Sequence, residues 1–309
     1  MIIAGATATG KTRVAVSLAE RIGGEVISAD SMQVYKYMDI GTAKPSPEEM
    51  RGIDHYLIDE IYPDEEYSAA IFQRKAKEYI RLIREKGKTP IICGGTGFYI
   101  NSILYDNEFA STETDSRYRE ELYGLAETRG NGVLHGMLEQ ADPESAALIH
   151  ENNVRRTVRA LEYYAQTGER ISAANIREKQ RQPVRNALLF ILDMERDRLY
   201  RRIGGRVGRM VEKGLISEVE NLLGMGYNKE LVSMQGLGYK EATAYLSGEC
   251  TLDEAAERIK LGTRRYAKRQ LTWFRGQCSG VWLDAPDGED CNETTNKILG
   301  MIENVEQGN

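Results

Sequence analysis

The sequence MIIAGATATGKT, residues 1–12, decides the fold of this chain. Its first four residues predict a short buried strand, and apolar residues at helical spacing follow as far as Ile22. Between strand and helix, residues 5–12 fit the pattern G-x-x-x-x-G-K-[ST], in which glycines let backbone N–H groups converge on phosphate oxygens. The pattern predicts a loop for a diphosphate-containing ligand, formed by Gly5, Ala6, Thr7, Ala8, Thr9, Gly10, Lys11 and Thr12.

Two side chains of this loop carry the expected ligand chemistry. Lys11 supplies a positive charge to the phosphate oxygens, and the hydroxyl of Thr12 is a suitable ligand for Mg²⁺. The N-terminus of the following helix adds a favourable dipole. We therefore expect Mg²⁺ as a cofactor, with Thr12 as its protein ligand. The pattern does not by itself indicate ATP hydrolysis.

Further apolar runs alternate with helical patterns along the chain. Strands are predicted at residues 25–29, 55–58, 90–93, 188–192 and 281–283, and long helices at 70–86, 200–223 and 252–274. This alternation indicates an α/β fold of the P-loop NTPase type, with an open and mostly parallel sheet flanked by helices. Residues 114–185 show helical patterns and no convincing strand, which predicts a helical insertion domain between core segments 1–113 and 186–309.

Composition and charge limit the classes of function. The 309 residues are 41% hydrophobic and 28% charged, which suits one sizeable core and argues against disorder. We expect no membrane span, and the four scattered cysteines predict a reducing cytoplasm without a zinc site. The net charge is −6, yet residues 150–213 contain 15 Lys/Arg against 8 Asp/Glu, and residues 258–275 contain seven basic and no acidic residues. Such local basic surface can bind nucleic-acid phosphates, although each run also fits a solvated helix face.

The usual companions of a phosphate-binding loop in nucleotide hydrolases are missing. The predicted strand at residues 90–93 carries no aspartate that could serve as a Walker B acid, and the sequence contains no N-K-x-D motif. A GTPase or a motor ATPase is therefore disfavoured. A small-molecule kinase and another transferase that uses a diphosphate group both remain possible.

Two polar residues follow predicted core strands. Asp30 comes after the second strand in SADSMQVY, and Thr96 follows the strand that ends in the GGTGFY motif. Ligands of open α/β sheets bind outside the carboxyl ends of the strands, so we expect both side chains near the diphosphate. Either residue alone could instead be a cap of a turn or helix.

Over nearly its whole length the sequence resembles the tRNA dimethylallyltransferase (isopentenyltransferase) family. The resemblance rests on ordered motifs: GATATGKT, SADSMQVY, DIGTAKP (residues 39–45), HYLID (55–59), GGTGFY, RTVRALE (156–162), GYKE (238–241) and AKRQLTWFR (267–275). One departure is Ala6, where the family usually has proline.

The resemblance implies a direct alkyl transfer. The exocyclic N6 amine of the adenosine just 3′ of the anticodon attacks the allylic carbon of dimethylallyl diphosphate, and pyrophosphate leaves. Asp30 is the implied base, Thr96 a second contact, and Lys11 and Arg202 the residues that stabilise the leaving group. Arg201 and Arg206 are alternatives to Arg202.

The implied partners are dimethylallyl diphosphate and the anticodon stem–loop of tRNA, bound by a monomeric cytoplasmic enzyme. The adenine would be flipped out of its stack, and the helical insertion would hold the stem–loop. The implied RNA contacts are Asp30, Ser31, Met32, Gln33, Thr96, Arg119, Arg155, Arg156, Arg159, Gln235, Gly238, Tyr239 and Lys240. A kinase, a prenyltransferase acting on free adenine nucleotides and a simple RNA-binding module are the alternatives, and Trp273 and Phe274 fit either core or RNA contact.

Overall fold

The computed structural model describes residues 1–107, 109, 116–184, 187–288 and 290–307. Within these residues, six parallel strands form one sheet in the order β3-β2-β4-β1-β5-β6. The strands are β1 (Ile2–Gly5), β2 (Gly24–Ala29), β3 (His55–Tyr56), β4 (Thr89–Gly94), β5 (Leu189–Asp193) and β6 (Val281–Asp284). The predicted open parallel α/β sheet is therefore confirmed.

The central strands are buried on both faces, which explains their nearly continuous apolar sequences. In β1, Ile2–Ala4 pair with residues 92–94 of β4 on one side, and Ile2–Gly5 pair with residues 189–192 of β5 on the other. Strand β2 pairs with β4 along its whole length. The carboxyl ends of β1, β2 and β4 consequently lie side by side, which is where the candidate site is built.

Helices of the same compact unit flank this sheet. They are α1 (Lys11–Ile22), α2 (Pro47–Met50), α3 (Ala69–Glu85), α4 (Gly97–Leu104), α10 (Arg196–Glu212), α11 (Leu215–Gly224), α12 (Tyr239–Leu246), α13 (Leu252–Gln277) and α14 (Asn292–Gln307). Apolar residues from α1, α10, α11 and α13 pack with the strands in one core, as Leu18, Ile203, Val219 and Ile259 illustrate. Among the described residues, none of the helices is long and apolar enough to cross a bilayer.

Two element predictions need correction. The single helix expected at residues 200–223 is divided into α10 and α11, because Gly214 adopts a φ of 98° in the left-handed region and starts a new helix. The expected strand at 55–58 contains only His55 and Tyr56, since Leu57 turns to a φ of 61°.

Residues Tyr105–Pro183 form a second compact unit, separate from the unit made by Met1–Leu104 and Val184–Asn309. The boundaries predicted from sequence, residues 114 and 185, lie outside the described residues. The described helices of this unit are α5 (Ser116–Arg129), α6 (Asn131–Ala141), α7 (Pro143–Leu148), α8 (Val154–Thr167) and α9 (Ile171–Gln180).

This helical unit has its own core and its own polar anchor. Leu122, Leu134 and Leu161 belong to a buried cluster that contains no residue of the sheet unit. The buried carboxylate of Asp142 accepts hydrogen bonds from the backbone N–H and hydroxyl groups of both Ser145 and Ser172. These bonds cap α7 and tie α9 to it, because an unpaired carboxylate would be costly in a buried position.

Candidate functional site

The phosphate loop joins β1 to α1 at the carboxyl edge of the sheet. The carbonyl oxygen of Ala6 accepts hydrogen bonds from the Thr9 hydroxyl at 2.8 Å and from Lys11 Nζ at 2.7 Å. Within the described residues, the backbone N–H groups of Gly10, Lys11 and Thr12 donate to no protein acceptor. Unsatisfied N–H groups at a helix N-terminus, beside an enclosed ammonium group, form a site for an anion.

The environment of Lys11 lowers its proton affinity. Burial lowers the pKa of Lys11 to about 8, with a smaller contribution in the same direction from the Arg206 guanidinium, while the Asp30 carboxylate opposes the change. A bound phosphate would restore the preference for the charged lysine, because opposite charges at short range stabilise each other.

Asp30 follows the last residue of β2, and its carboxylate lies close enough to Lys11 of this loop for the two charges to interact. One carboxylate oxygen accepts a hydrogen bond from the backbone N–H of Met32 at 2.9 Å, which fixes its direction. The negative charge of Asp30 acts on Lys11, on Arg206 and on the Tyr266 phenol. A carboxylate, the phosphate loop and a second cation therefore meet at one place.

Thr96 connects the ends of β2 and β4 beside Asp30. Its backbone N–H donates to the carbonyl of Ala29 at 3.2 Å, and its hydroxyl oxygen accepts from the N–H of Ser31 at 3.1 Å. The hydroxyl of Tyr266, on α13, has Thr96 as a hydrogen-bond partner, and burial raises the pKa of Tyr266 to about 12. The phenol therefore stays protonated at neutral pH.

The structure brings two arginines of α10 close to the phosphate loop. Arg202, predicted to stabilise a leaving group, donates to the carbonyls of Ala8, Thr9 and Gly288, and its Nη1 would lie 3.9 Å from a Cβ added at Gly10. Arg206 lies one helical turn further on, with a buried Nε that has no hydrogen-bond partner in the described residues. The Arg206 guanidinium interacts electrostatically with Asp30 and Lys11. Sequence reasoning had named Arg206 only as an alternative.

The DIGTAKP segment is tied to neighbouring parts of the sheet unit by hydrogen bonds and ion pairs. The amide of Gln33 accepts from the Ser28 hydroxyl and donates to the carbonyl of Ala43, so this side chain is committed to the protein. Lys44 binds Asp39, Asp59 and the carbonyl of Tyr35, with its side chain only 6% exposed. Lys44 is therefore a structural residue.

The predicted RNA contacts near residue 238 divide into two groups. Tyr239 is fully buried, and its hydroxyl donates to Glu218, whose carboxylate also accepts from the N–H groups of residues 39–41. Gly238 is buried as well, so the expectation that Gly238 and Tyr239 form a contact surface is corrected. Gln235 and Lys240 are exposed.

The helical unit presents a basic face on α8. Arg155, Arg156 and Arg159 are exposed, and in the described part of the chain no carboxylate pairs with them. Arg119 differs, because it forms a bidentate ion pair with the buried carboxylate of Glu162. The side chain of Arg119 thus holds α5 to α8, whereas the three arginines of α8 remain available to phosphate.

The residues present fit Mg²⁺ held jointly with a ligand. The described residues contain no group of three or more His, Cys, Asp or Glu side chains that could hold a metal ion. Mg²⁺ keeps several waters and commonly uses one or two protein oxygens plus substrate phosphates, so the hydroxyl of Thr12 beside the phosphate loop is a sufficient protein donor. The Thr12 hydroxyl lies against the Cys93 thiol.

Helix α13 contributes residues that sequence reasoning did not place in the site. Phe274 is fully buried, and Trp273 packs on Phe98 at a ring distance of 4.5 Å. Tyr266 and Gln270, one turn apart, reach Thr96 and the phosphate loop. Gln270 belongs to the AKRQLTWFR motif and Tyr266 immediately precedes it, which was the available sequence signal for these two residues. The basic composition of the helix did not indicate which of its faces points toward the site.

Comparisons with known proteins agree on one family. A family model described as IPP transferase matches residues 33–277. The chain is 52% identical over 299 residues to a tRNA dimethylallyltransferase of Acetivibrio thermocellus, covering 97% of this chain and 95% of that protein. It is 51% identical to the protein of the same name from Lachnoclostridium phytofermentans, over 93% and 92% of the two chains.

Solved structures give the same result. The full-length tRNA isopentenylpyrophosphate transferase of Bacillus halodurans is similar with a TM-score of 0.73 and 44% identity, covering 98% of this chain and 95% of that one. A eukaryotic dimethylallyltransferase acting on tRNA is similar with a TM-score of 0.83 and 30% identity, covering 99% and 79%.

Proposed function

Because this chain belongs to the IPP transferase family, we propose that it transfers the dimethylallyl group from dimethylallyl diphosphate to tRNA. The acceptor is the exocyclic N6 amine of the adenosine 3′-adjacent to the anticodon. One observation supports this proposal: the Asp30 carboxylate at the end of β2 interacts electrostatically with Lys11 of the phosphate loop, so that a proton acceptor and a diphosphate site share one edge of the sheet.

The reaction needs a base because the lone pair of an adenine amine is delocalised into the ring. As the N6–C bond forms, the bond between the allylic carbon and the diphosphate oxygen breaks, and pyrophosphate leaves with the electron pair. The N6 proton passes to the second carboxylate oxygen of Asp30, which accepts no hydrogen bond within the described residues. Thr96, held by Ser31, is placed to contact the base or the leaving group.

Positive groups offset the charge that develops on pyrophosphate. Lys11, the N–H groups at the start of α1, Arg202 and Arg206 would supply this charge, since all of them lie at or interact with the phosphate loop. Preorganised donors of this kind are often the largest contribution to catalysis. The Thr12 hydroxyl would hold Mg²⁺ together with the diphosphate, and Mg²⁺ would neutralise part of its negative charge.

The helical unit supplies candidate contacts to the RNA backbone. The face of α8 formed by Arg155, Arg156 and Arg159 has the charge and exposure that phosphate contacts require. The adenine has to leave its stack to reach Asp30, since a stacked base would keep its amine out of reach of a sheet edge.

The test is a transfer assay with labelled dimethylallyl diphosphate and Mg²⁺. An anticodon stem–loop, AMP and ATP are offered in turn as acceptors. Label should appear in the RNA alone. Label in AMP or ATP would indicate a nucleotide prenyltransferase, and a phosphorylated small molecule would indicate a kinase, so either result would contradict the proposal.

The variant Asp30→Ala examines the proposed base. It should abolish turnover while leaving the dissociation constant for the stem–loop within a few fold, because a proton acceptor is needed only as the bond forms. Near-normal turnover in this variant would remove Asp30 from the role of base.

A further inference from the structure

The amide of Gln270, on α13, joins the two halves of the candidate site. Its Oε1 accepts a hydrogen bond from the backbone N–H of Thr7 in the phosphate loop at 2.9 Å. Its Nε2 donates to the carbonyl of Gly95, beside Thr96, also at 2.9 Å. The Gln270 side chain, which is 6% exposed, therefore connects the phosphate loop to the turn that carries Thr96, a predicted contact of the acceptor base.

Neighbouring residues fix the position of the Gln270 side chain. A Cβ added at Gly95 would lie 2.3 Å from Gln270 Nε2, which is too close for any side chain to be accommodated without displacing the amide. Tyr266, one turn earlier on α13, has both Gln270 and Thr96 as hydrogen-bond partners of its hydroxyl. The amide is therefore fixed from several directions.

A neutral primary amide satisfies both partners at once. Thr7 N–H, which is partly buried, needs an acceptor, and the buried Gly95 C=O needs a donor. A leucine would leave both unpaired, and an ionised glutamate would repel the Gly95 carbonyl. The arrangement also removes the Thr7 N–H from phosphate binding, which leaves that task to the N–H groups at the start of α1.

We propose that Gln270 is a positioning residue that sets the distance between the diphosphate loop and the acceptor turn. The inference rests on the proposed function, because the distance matters only if a group passes from one side to the other. Displacement of reacting groups by about 1 Å can cost about a hundredfold in rate. A Gln270→Leu variant should therefore lose about a hundredfold in kcat, with stem–loop affinity within threefold of wild type.

Gln73 provides a matched control. It is another buried glutamine, and its amide joins α3 to the carbonyl of Ser102 on α4. Gln73→Leu should lower the melting temperature without a comparable loss of kcat. If Gln270→Leu lowered only the melting temperature and kept its kcat, Gln270 would have a purely structural role and the proposal would be overturned.

A second variant covers the case in which Gln270→Leu does not fold. Gln270→Glu retains an acceptor for Thr7 N–H and regains a donor for Gly95 only when protonated, and burial favours protonation. Its kcat relative to wild type should therefore rise as the pH is lowered from about 8 to about 6. A ratio independent of pH would overturn the proposal.

The affinity for dimethylallyl diphosphate, measured by calorimetry without RNA, separates this inference from the proposed function. Gln270→Leu should weaken that affinity several-fold and Gln73→Leu should not, whether or not the wild-type chain modifies RNA. If the wild-type protein failed the transfer assay while the two variants still differed in their affinity for dimethylallyl diphosphate, the proposed function would be rejected. The role of Gln270 in the phosphate loop would stand. Equal affinities in both variants would overturn the inference.

Discussion

At the scale of single residues, the site depends on charged side chains that lie close together, and the pKa of Lys11 is lowered among them. Lys11 is enclosed among the carbonyl of Ala6, the Asp30 carboxylate and the Arg206 guanidinium. Two cations and one anion give this place a local excess of positive charge. We infer that a bound diphosphate would offset this excess and stabilise the charged form of Lys11.

The pH dependence of ligand binding follows from Lys11. The pKa of Lys11 is about 8 in the free protein, and the phosphates of a bound ligand raise it. Below about pH 8 the lysine is charged before and after binding, so affinity is constant. Above about pH 8 binding must take up a proton, and affinity for dimethylallyl diphosphate should fall by up to about tenfold per pH unit.

Calorimetry at pH 7 and pH 9 in two buffers of different ionisation enthalpy measures both the affinity and the proton uptake. The variant Lys11→Met should bind more weakly and lose the pH dependence. An affinity that does not change between the two pH values would contradict the proposed role of Lys11.

The arginines of α10 can be distinguished by substitution. Arg206→Met should lower kcat by about 10²–10³, because it removes a buried cation that interacts with Asp30 and Lys11 and has an unpaired Nε. Arg202→Met should cost about tenfold or less, because the Arg202 guanidinium already donates to loop carbonyls. Steady-state kinetics with saturating RNA measures kcat for both variants. A larger loss of kcat in the Arg202 variant would show that Arg202 contributes more to catalysis than Arg206.

At the scale of the elements, α10 combines a functional arginine with weak helix formers. Gly204 and Gly208 lie within the helix on either side of Arg206, and nothing in the structure comes within 4 Å of a Cβ added at either position. A glycine inside a helix costs about 0.5–1 kcal/mol relative to alanine because of its larger conformational entropy in the unfolded chain.

Gly204→Ala and Gly208→Ala should each stabilise the protein by about 0.5–1 kcal/mol, measured by urea unfolding. The control is Gly214→Ala at the break between α10 and α11, where φ is 98°. This substitution should destabilise by about 1 kcal/mol, because alanine is strained in the left-handed region. Equal effects at all three glycines would contradict this account.

At the scale of the whole molecule, two compact units carry different parts of the proposed task. The sheet unit contains the phosphate loop, Asp30 and Thr96, and the helical unit contains the basic face of α8. Substitutions on α8 should therefore affect RNA binding and leave the binding of dimethylallyl diphosphate unchanged. We expect this separation because each unit has its own buried core.

Replacing Arg155, Arg156 and Arg159 together by alanine should weaken stem–loop binding about 10–100-fold at physiological salt. Each lost phosphate contact should reduce the slope of log K against log salt by about 0.7–0.9. Affinity for dimethylallyl diphosphate should stay unchanged, which serves as the control. Fluorescence anisotropy over a salt series measures the slope, and an unaltered slope would exclude phosphate contacts by these side chains.

The sequence by itself determined the phosphate-loop pattern and the parallel α/β sheet, and it predicted Asp30 near that loop. These features depend on local patterns: apolar runs, glycine spacing and the rule that parallel strands end at one edge. The tertiary structure alone decided that both Arg202 and Arg206 lie close to the phosphate loop, that Tyr239 is core, and that Gln270 joins the loop to Gly95. Those choices depend on how α10, α12 and α13 are rotated against the sheet. Rotation is set by packing between residues far apart in the chain, as between Thr7 and Gln270, which no local pattern encodes.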